Sequence, residues 1–183
     1  MKKRKNIRLH NYNYSKPGSY FITICTERNK DFFTVIKHKK IVEKIWTEIP
    51  DHINYVKLDE FIVMPNHVHG IISILNGVGT STHKGYWKHA LSLQTKRRCE
   101  TLATVVGSFK SAVSREMHKD LKDFKWQRSY HEHVIRNEKE LLNIRKYINN
   151  NPLKWNLDIE NSNNQKKKVD LDKYYRKIYQ GEF

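Results

Sequence analysis

The chain has 183 residues, with 35 Lys and Arg against 19 Asp and Glu and a formal net charge of +16. That length suits one domain with its own core, and basic residues spread from Lys2 to Lys177 make a polyanion the expected partner. Cys25 and Cys99, with no CxxC pair, exclude a disulfide scaffold and a cysteine zinc framework, and they fit a reducing compartment. The basic start, Met1 to Lys5, leads into alternating polar and aromatic residues where a signal peptide would be apolar. Apolar runs such as Gly70 to Leu75 fall far short of the ~20 residues that cross a bilayer. A cytoplasmic, nucleoid-associated protein with no membrane partner is expected.

Tyr20 to Cys25 is β-branched and aromatic and follows the turn-forming Lys16-Pro17-Gly18, which predicts a first strand. Ile41, Ile45, Trp46 and Ile49 recur at helical spacing between His38 and Ile49, and Pro50 is expected to stop that helix. Strands are predicted from about Tyr55 to Met64 and from His67 to Leu75, joined as a hairpin by Pro65-Asn66. Residues 76–98 hold three glycines and end in Lys96-Arg97-Arg98, which reads as a mobile excursion. Leu102, Val105, Val106, Phe109 and Val113 mark a helix from Leu102 to Met117.

Trp126 to Ile135 predicts a fourth strand, and Asn137-Glu138-Lys139-Glu140 a capped start for a helix reaching Asn150. Pro152 is expected to push Asn151 out of helical geometry. The order is the split β-α-β plan of a ferredoxin-like α+β sandwich, followed by one more helix. Residues 159–168 turn polar and basic and read as a linker, after which Leu171, Tyr174, Tyr175 and Ile178 suit a short amphipathic helix. The domain is therefore drawn as 1–158, with linker and tail over 159–183.

His67-Val68-His69 is the densest chemical clue, because alternate side chains of a strand share a face and two imidazoles can then hold one divalent ion. Taken alone, the triplet reads equally well as two hydrogen-bonded histidines. A third ligand is needed, and Asn151, four residues beyond Tyr147 on the same helix side, offers an amide oxygen. Such a donor set suits Mg²⁺ or Mn²⁺ better than structural zinc. Lys96, Arg97, Arg98, Lys110 and Arg115 are candidate phosphate contacts, with Tyr12, Tyr14, Trp126 and Tyr130 as candidate stacking rings and Arg136 as a further DNA contact. Each aromatic has core packing as its plainer reading, and Asn137 reads as a helix cap.

Phe61 to Gly70 (FIVMPNHVHG), Trp126 to His133 (WQRSYHEH), Ile135 to Asn137 and Tyr147 to Trp155 (YINNNPLKW) together resemble the IS200-like single-tyrosine transposases, and most closely the REP-associated branch. The resemblance spans about Tyr12 to Trp155. It implies a histidine-hydrophobe-histidine endonuclease that nicks and transfers single-stranded DNA at hairpins. His67, His69 and Asn151 would be its metal ligands and Tyr147 its nucleophile, forming a 5′-phosphotyrosyl intermediate. It also implies Mg²⁺ or Mn²⁺ as cofactor, single-stranded or hairpin DNA as partner, and a monomer or homodimer. Two alternatives stand beside it: a domesticated protein that binds hairpin DNA without cutting it, and a metal phosphodiesterase that uses water.

Overall fold

The computed structural model describes residues 17–75, 102–161 and 170–182. Tyr12, Tyr14, Lys96, Arg97, Arg98 and the excursion over 76–98 lie outside them. In chain order the elements are β1 (Gly18–Cys25), α1 (Ile36–Thr47), β2 (Val56–Val63), β3 (His67–Ile74), α2 (Leu102–Met117), β4 (His131–Ile135), α3 (Glu138–Asn150) and α4 (Leu171–Gln180). The strands form one antiparallel sheet in the order β2-β3-β1-β4, which is the ferredoxin-like arrangement predicted.

Register assigns each side chain to a face. Tyr20, Ile22 and Ile24 stand opposite Ile72, Gly70 and Val68, and with Val134 they meet α1 and α2 in a core that includes Trp46, Phe109, Ala112 and Phe124. Gly70 is required there, since a β-carbon would sit 2.4 Å from the Trp46 ring. On the other face, Phe21 aligns with Ile71 and His133, Thr23 with His69 and His131, and Cys25 with His67. Helices α3 and α4 cover this face through Ile144, Tyr147, Ile148, Tyr175 and Ile178.

The boundaries depart from expectation in four places. α1 begins at Ile36 and ends at Thr47, and Pro50 starts a separate helical turn, Ile49–His52, where its missing N–H costs nothing. The fourth strand is confined to His131–Ile135; Trp126 contributes only an isolated bridge to Thr26. Asn151 keeps helical angles (φ −56°, ψ −40°) despite preceding Pro152, because the proline opens a 3₁₀ segment, Asn151–Leu157, at a position where no N–H is needed. Finally, Asn161 is buried and Glu160 half-buried, so the first residues of the expected linker are packed structure.

The cap of α3 follows the sequence. Asn137 Oδ1 accepts from the Glu140 N–H, while Glu140 reaches back to the Arg136 N–H at 2.7 Å. The Arg145 guanidinium of α3 grips Asp59 through Nε at 2.9 Å and Nη2 at 2.6 Å, fixing the helix to a bulged stretch of β2. That pairing holds the Asp59 carboxyl below its usual range.

Candidate active site

His67 and His69 leave the hairpin turn on the same side of β3, as the two-residue period demands, and both are fully buried. Their Nε2 atoms face one another at 2.9 Å. Each ring is held by its opposite nitrogen: His67 Nδ1 lies 2.8 Å from Asn66 Oδ1, and His69 Nδ1 lies 2.9 Å from Thr23 Oγ1. Asn66 has a defined orientation because its Nδ2 donates to the carbonyls of Asn29 and Glu160, which turns Oδ1 toward His67. An amide oxygen only accepts, so His67 carries its proton on Nδ1 and presents a lone pair at Nε2.

The Thr23 hydroxyl both donates and accepts, and Tyr175 donates to it at 3.3 Å. It can therefore support His69 with a proton on either nitrogen, including the tautomer that frees Nε2 for a metal. Asn29 is itself anchored by Gln127, whose Nε2 donates to Asn29 Oδ1 at 2.7 Å. Arg28 and Asn29 adopt left-handed backbone angles (φ 57° and 51°), a conformation disfavoured for residues with a β-carbon. Here it accompanies the Asn29 contacts to Asn66 and Glu160.

Asp158, just beyond the 3₁₀ segment, directs Oδ2 at both Nε2 atoms from 3.8 Å. Ligand atoms of His67, His69 and Asp158 all lie within 4.8 Å of one another, making this the one metal-capable group of His, Cys, Asp and Glu side chains among the described residues. Burial, then the neighbouring His69, press the His67 imidazole down to about 3, so it is neutral at pH 7. Burial pushes the Asp158 carboxyl up, but the facing His69 and His67 more than offset this and hold it well below the usual carboxylate range.

Tyr147 projects from α3 to place its hydroxyl 3.1 Å from His69 Nε2 and 3.4 Å from the Tyr174 hydroxyl of α4. Its ring meets Phe21 edge-on, which fixes its direction. Burial, then Asp158 and Tyr174, raise its phenol well above the ordinary value of 10. Asn151 is buried at 2% exposure, and its Oδ1 has no hydrogen-bond partner among the described residues. An unsatisfied buried carbonyl oxygen costs about 1–3 kcal/mol, and metal ligation is one way to remove that cost.

The other predicted contacts are dispersed. Lys110 donates to the Gln127 carbonyl and its own carbonyl accepts from Trp126 Nε1, so these two brace the loop after α2. Trp126 and Tyr130 pack against the core beneath α1 and α2, Trp126 against the rings of Phe33, Phe109 and Phe124, while Arg115 is half-buried near the end of α2 and Arg136 is exposed at the head of α3. Asp158 escaped sequence reading altogether. It lies eleven positions after Tyr147, and no local motif brackets it.

No protein-family profile matches the chain. It is 38% identical over 164 residues to a Haemophilus influenzae protein of uncharacterized function, covering 85% of this chain and 91% of that one, and the two belong to one family. Among solved structures, a REP-associated tyrosine transposase bound to a REP hairpin aligns with a TM-score of 0.57 at 20% identity, covering 81% of this chain and 74% of that chain. A transposase candidate from Deinococcus radiodurans aligns with a TM-score of 0.38, which is too low to carry an argument. No helix among the described residues is long and apolar enough to cross a membrane.

Proposed function

We propose that this chain, which shares a family with the Haemophilus influenzae protein and has the fold of the REP-associated tyrosine transposase, is itself an IS200-like single-tyrosine transposase. In this reading it nicks and rejoins single-stranded DNA at hairpins. The observation that carries the reading is the convergence of two imidazoles and one tyrosine hydroxyl on a single buried point, with His69 Nε2 common to both contacts.

The donor set fits a hard, labile divalent ion. Two imidazoles with their outer nitrogens occupied, a carboxylate and an unsatisfied amide oxygen make His67, His69, Asp158 and Asn151 the residues that would hold Mg²⁺ or Mn²⁺. When bound, such an ion supplies charge neutralisation at the non-bridging oxygens of the scissile phosphate. The chain's own residues set direction. Thr23 and Asn66 lock the imidazoles, and Phe21 aims the Tyr147 ring.

Attack forms a bond between Tyr147 Oη and phosphorus and breaks the bond to the 3′-oxygen. The phenolic proton leaves and the 3′-oxygen gains one. Burial and the nearby carboxylate hold the phenol protonated, so the attack requires a group that takes its proton. Lys146 and Lys154 line a cavity of about 120 Å³ beside Tyr147 and can accompany the phosphate charge. The phosphotyrosyl bond conserves energy for rejoining, so no nucleotide cofactor is needed.

The test incubates labelled single-stranded hairpins, taken from palindromes beside the gene, with protein and Mg²⁺ or Mn²⁺. A covalent adduct that requires metal and disappears in Tyr147→Phe supports the reading. Cleavage that survives Tyr147→Phe assigns the attack to water, and tight binding without cleavage under either ion assigns the protein to hairpin binding alone.

A further inference from the structure

The segment that follows the tyrosine helix is turned inside out. In Asn151–Leu157 and the Asp158 beyond it, the buried side chains are polar, Asn151 at 2% exposure and Asp158 at 1%, while Leu153 is 88% and Leu157 71% exposed. Fraying does not explain this. The Trp155 carbonyl accepts from the Asp158 N–H at 3.1 Å and from Asn161 Nδ2 at 3.0 Å, and the half-buried Trp155 ring lies 5.9 Å from that of His67. A pinned backbone that directs two leucines into water leaves apolar surface for another molecule to cover.

The two leucines continue rows that begin at the active site. Residues three apart eclipse one another in a 3₁₀ helix, so Leu157 follows Lys154 and the buried Asn151 outward. Leu153 comes three residues after Asn150 and seven after Lys146, the spacing of one side of α3. Lys146, Asn150 and Lys154 line the cavity of about 120 Å³ beside Tyr147, and no acidic side chain among the described residues is on its wall. Lysine is depleted in protein–protein contacts. A cationic groove edged by apolar surface instead matches a DNA strand, whose phosphates are anionic and whose base faces are apolar.

We propose that Leu153 and Leu157 seat the bases of the single strand flanking the scissile phosphate, with the ammonium groups of Lys146 and Lys154 meeting its phosphates. The proposal rests on the single-strand DNA reading above and adds the surface over which the flanking strand runs. It also accounts for the inversion: the polar side chains of the segment face the metal-capable group, and its leucines face the substrate.

The experiment measures fluorescence anisotropy with full-length protein and a chelator on two fluorescein-labelled hairpins made from a palindrome beside the gene, one blunt and one with single-stranded flanks of about ten nucleotides. The double variant Leu153→Ser, Leu157→Ser is expected to bind the flanked hairpin about tenfold more weakly and the blunt one as the wild type does. Leu153→Met with Leu157→Met retains the affinity. Ile36→Ser, which removes a side chain of the same 71% exposure from the α1 side of the sheet, changes neither. The urea midpoint of the serine variant stays at the wild-type value, because leucines this exposed contribute little to folding. Equal wild-type affinity for the two hairpins overturns the surface. So does a serine variant that binds the flanked hairpin normally, loses affinity for both hairpins alike, unfolds at lower urea or changes oligomeric state in sedimentation. Chelated binding is independent of cleavage: the flank-specific loss in a protein that forms no covalent adduct keeps the surface and defeats the transposase reading, and an adduct without that loss does the reverse.

Discussion

Along β1, Tyr20, Ile22 and Ile24 meet α1 and α2 in a core of aliphatic and aromatic side chains, while the intervening Phe21 and Thr23 look toward imidazoles, phenols and a carboxylate. The first face buries mainly apolar side chains, so its stability comes chiefly from packing. The second buries polar groups, and each needs a defined neighbour to be tolerated there. Stability and chemistry are thus assigned to opposite sides of one sheet, with strand period as the device that separates them.

Substitutions confined to one face are the way to break or sharpen this division. The largest effect is expected from Phe109→Ala, which removes a fully buried ring packed edge-on against Trp46. It should cost about 3–5 kcal/mol in denaturant unfolding while leaving Mn²⁺ affinity unchanged. A parallel loss of metal affinity would show that the faces are coupled.

Acid should act on the second face. Burial, then His133 and His69, press His131 down to about 4, against 6.5 for an unperturbed imidazole. Between those values the unfolded chain binds a proton that the folded chain refuses, so stability present above pH 6.5 is lost as pH falls to about 4 and then levels off. This contribution is up to about 3 kcal/mol, and His131→Phe should flatten that part of the pH–stability curve.

A smaller change is expected from Asn66→Ala, which releases His67 Nδ1 and the Asn29 and Glu160 carbonyls. Metal affinity by Mn²⁺ titration should fall about 10- to 100-fold, and an unchanged affinity would remove Asn66 from the positioning network. Smallest of all, Arg145→Ala breaks a two-pronged but partly exposed pair with Asp59. It should cost under about 1 kcal/mol in urea unfolding, because solvent screens the attraction.

The sequence made much of this legible for a local reason. Alternation placed His67 and His69 on one face, whereas Tyr147 stood out only through the family resemblance, and its burial beside Ile144 and Ile148 is a finding of the structure. The full extent of α2 followed from its apolar period. What stayed hidden depends on contacts between distant segments. Asp158 reaches the histidines after a 3₁₀ path that local preference at Asn151-Pro152 argued against, and the tyrosines of α4 find ring partners only where they meet β4. Trp126 shows the converse, since basic and aromatic neighbours suggested DNA while its indole N–H is committed to the Lys110 carbonyl.

The most direct test of the account is to digest the covalent protein–DNA species formed with Mn²⁺ and locate the nucleotide by mass spectrometry. The account predicts a 5′-phosphonucleotide on the peptide containing Tyr147 and nowhere else. Attachment to Tyr174, whose hydroxyl lies 3.4 Å away, or recovery of cleaved DNA with no modified peptide, would contradict it.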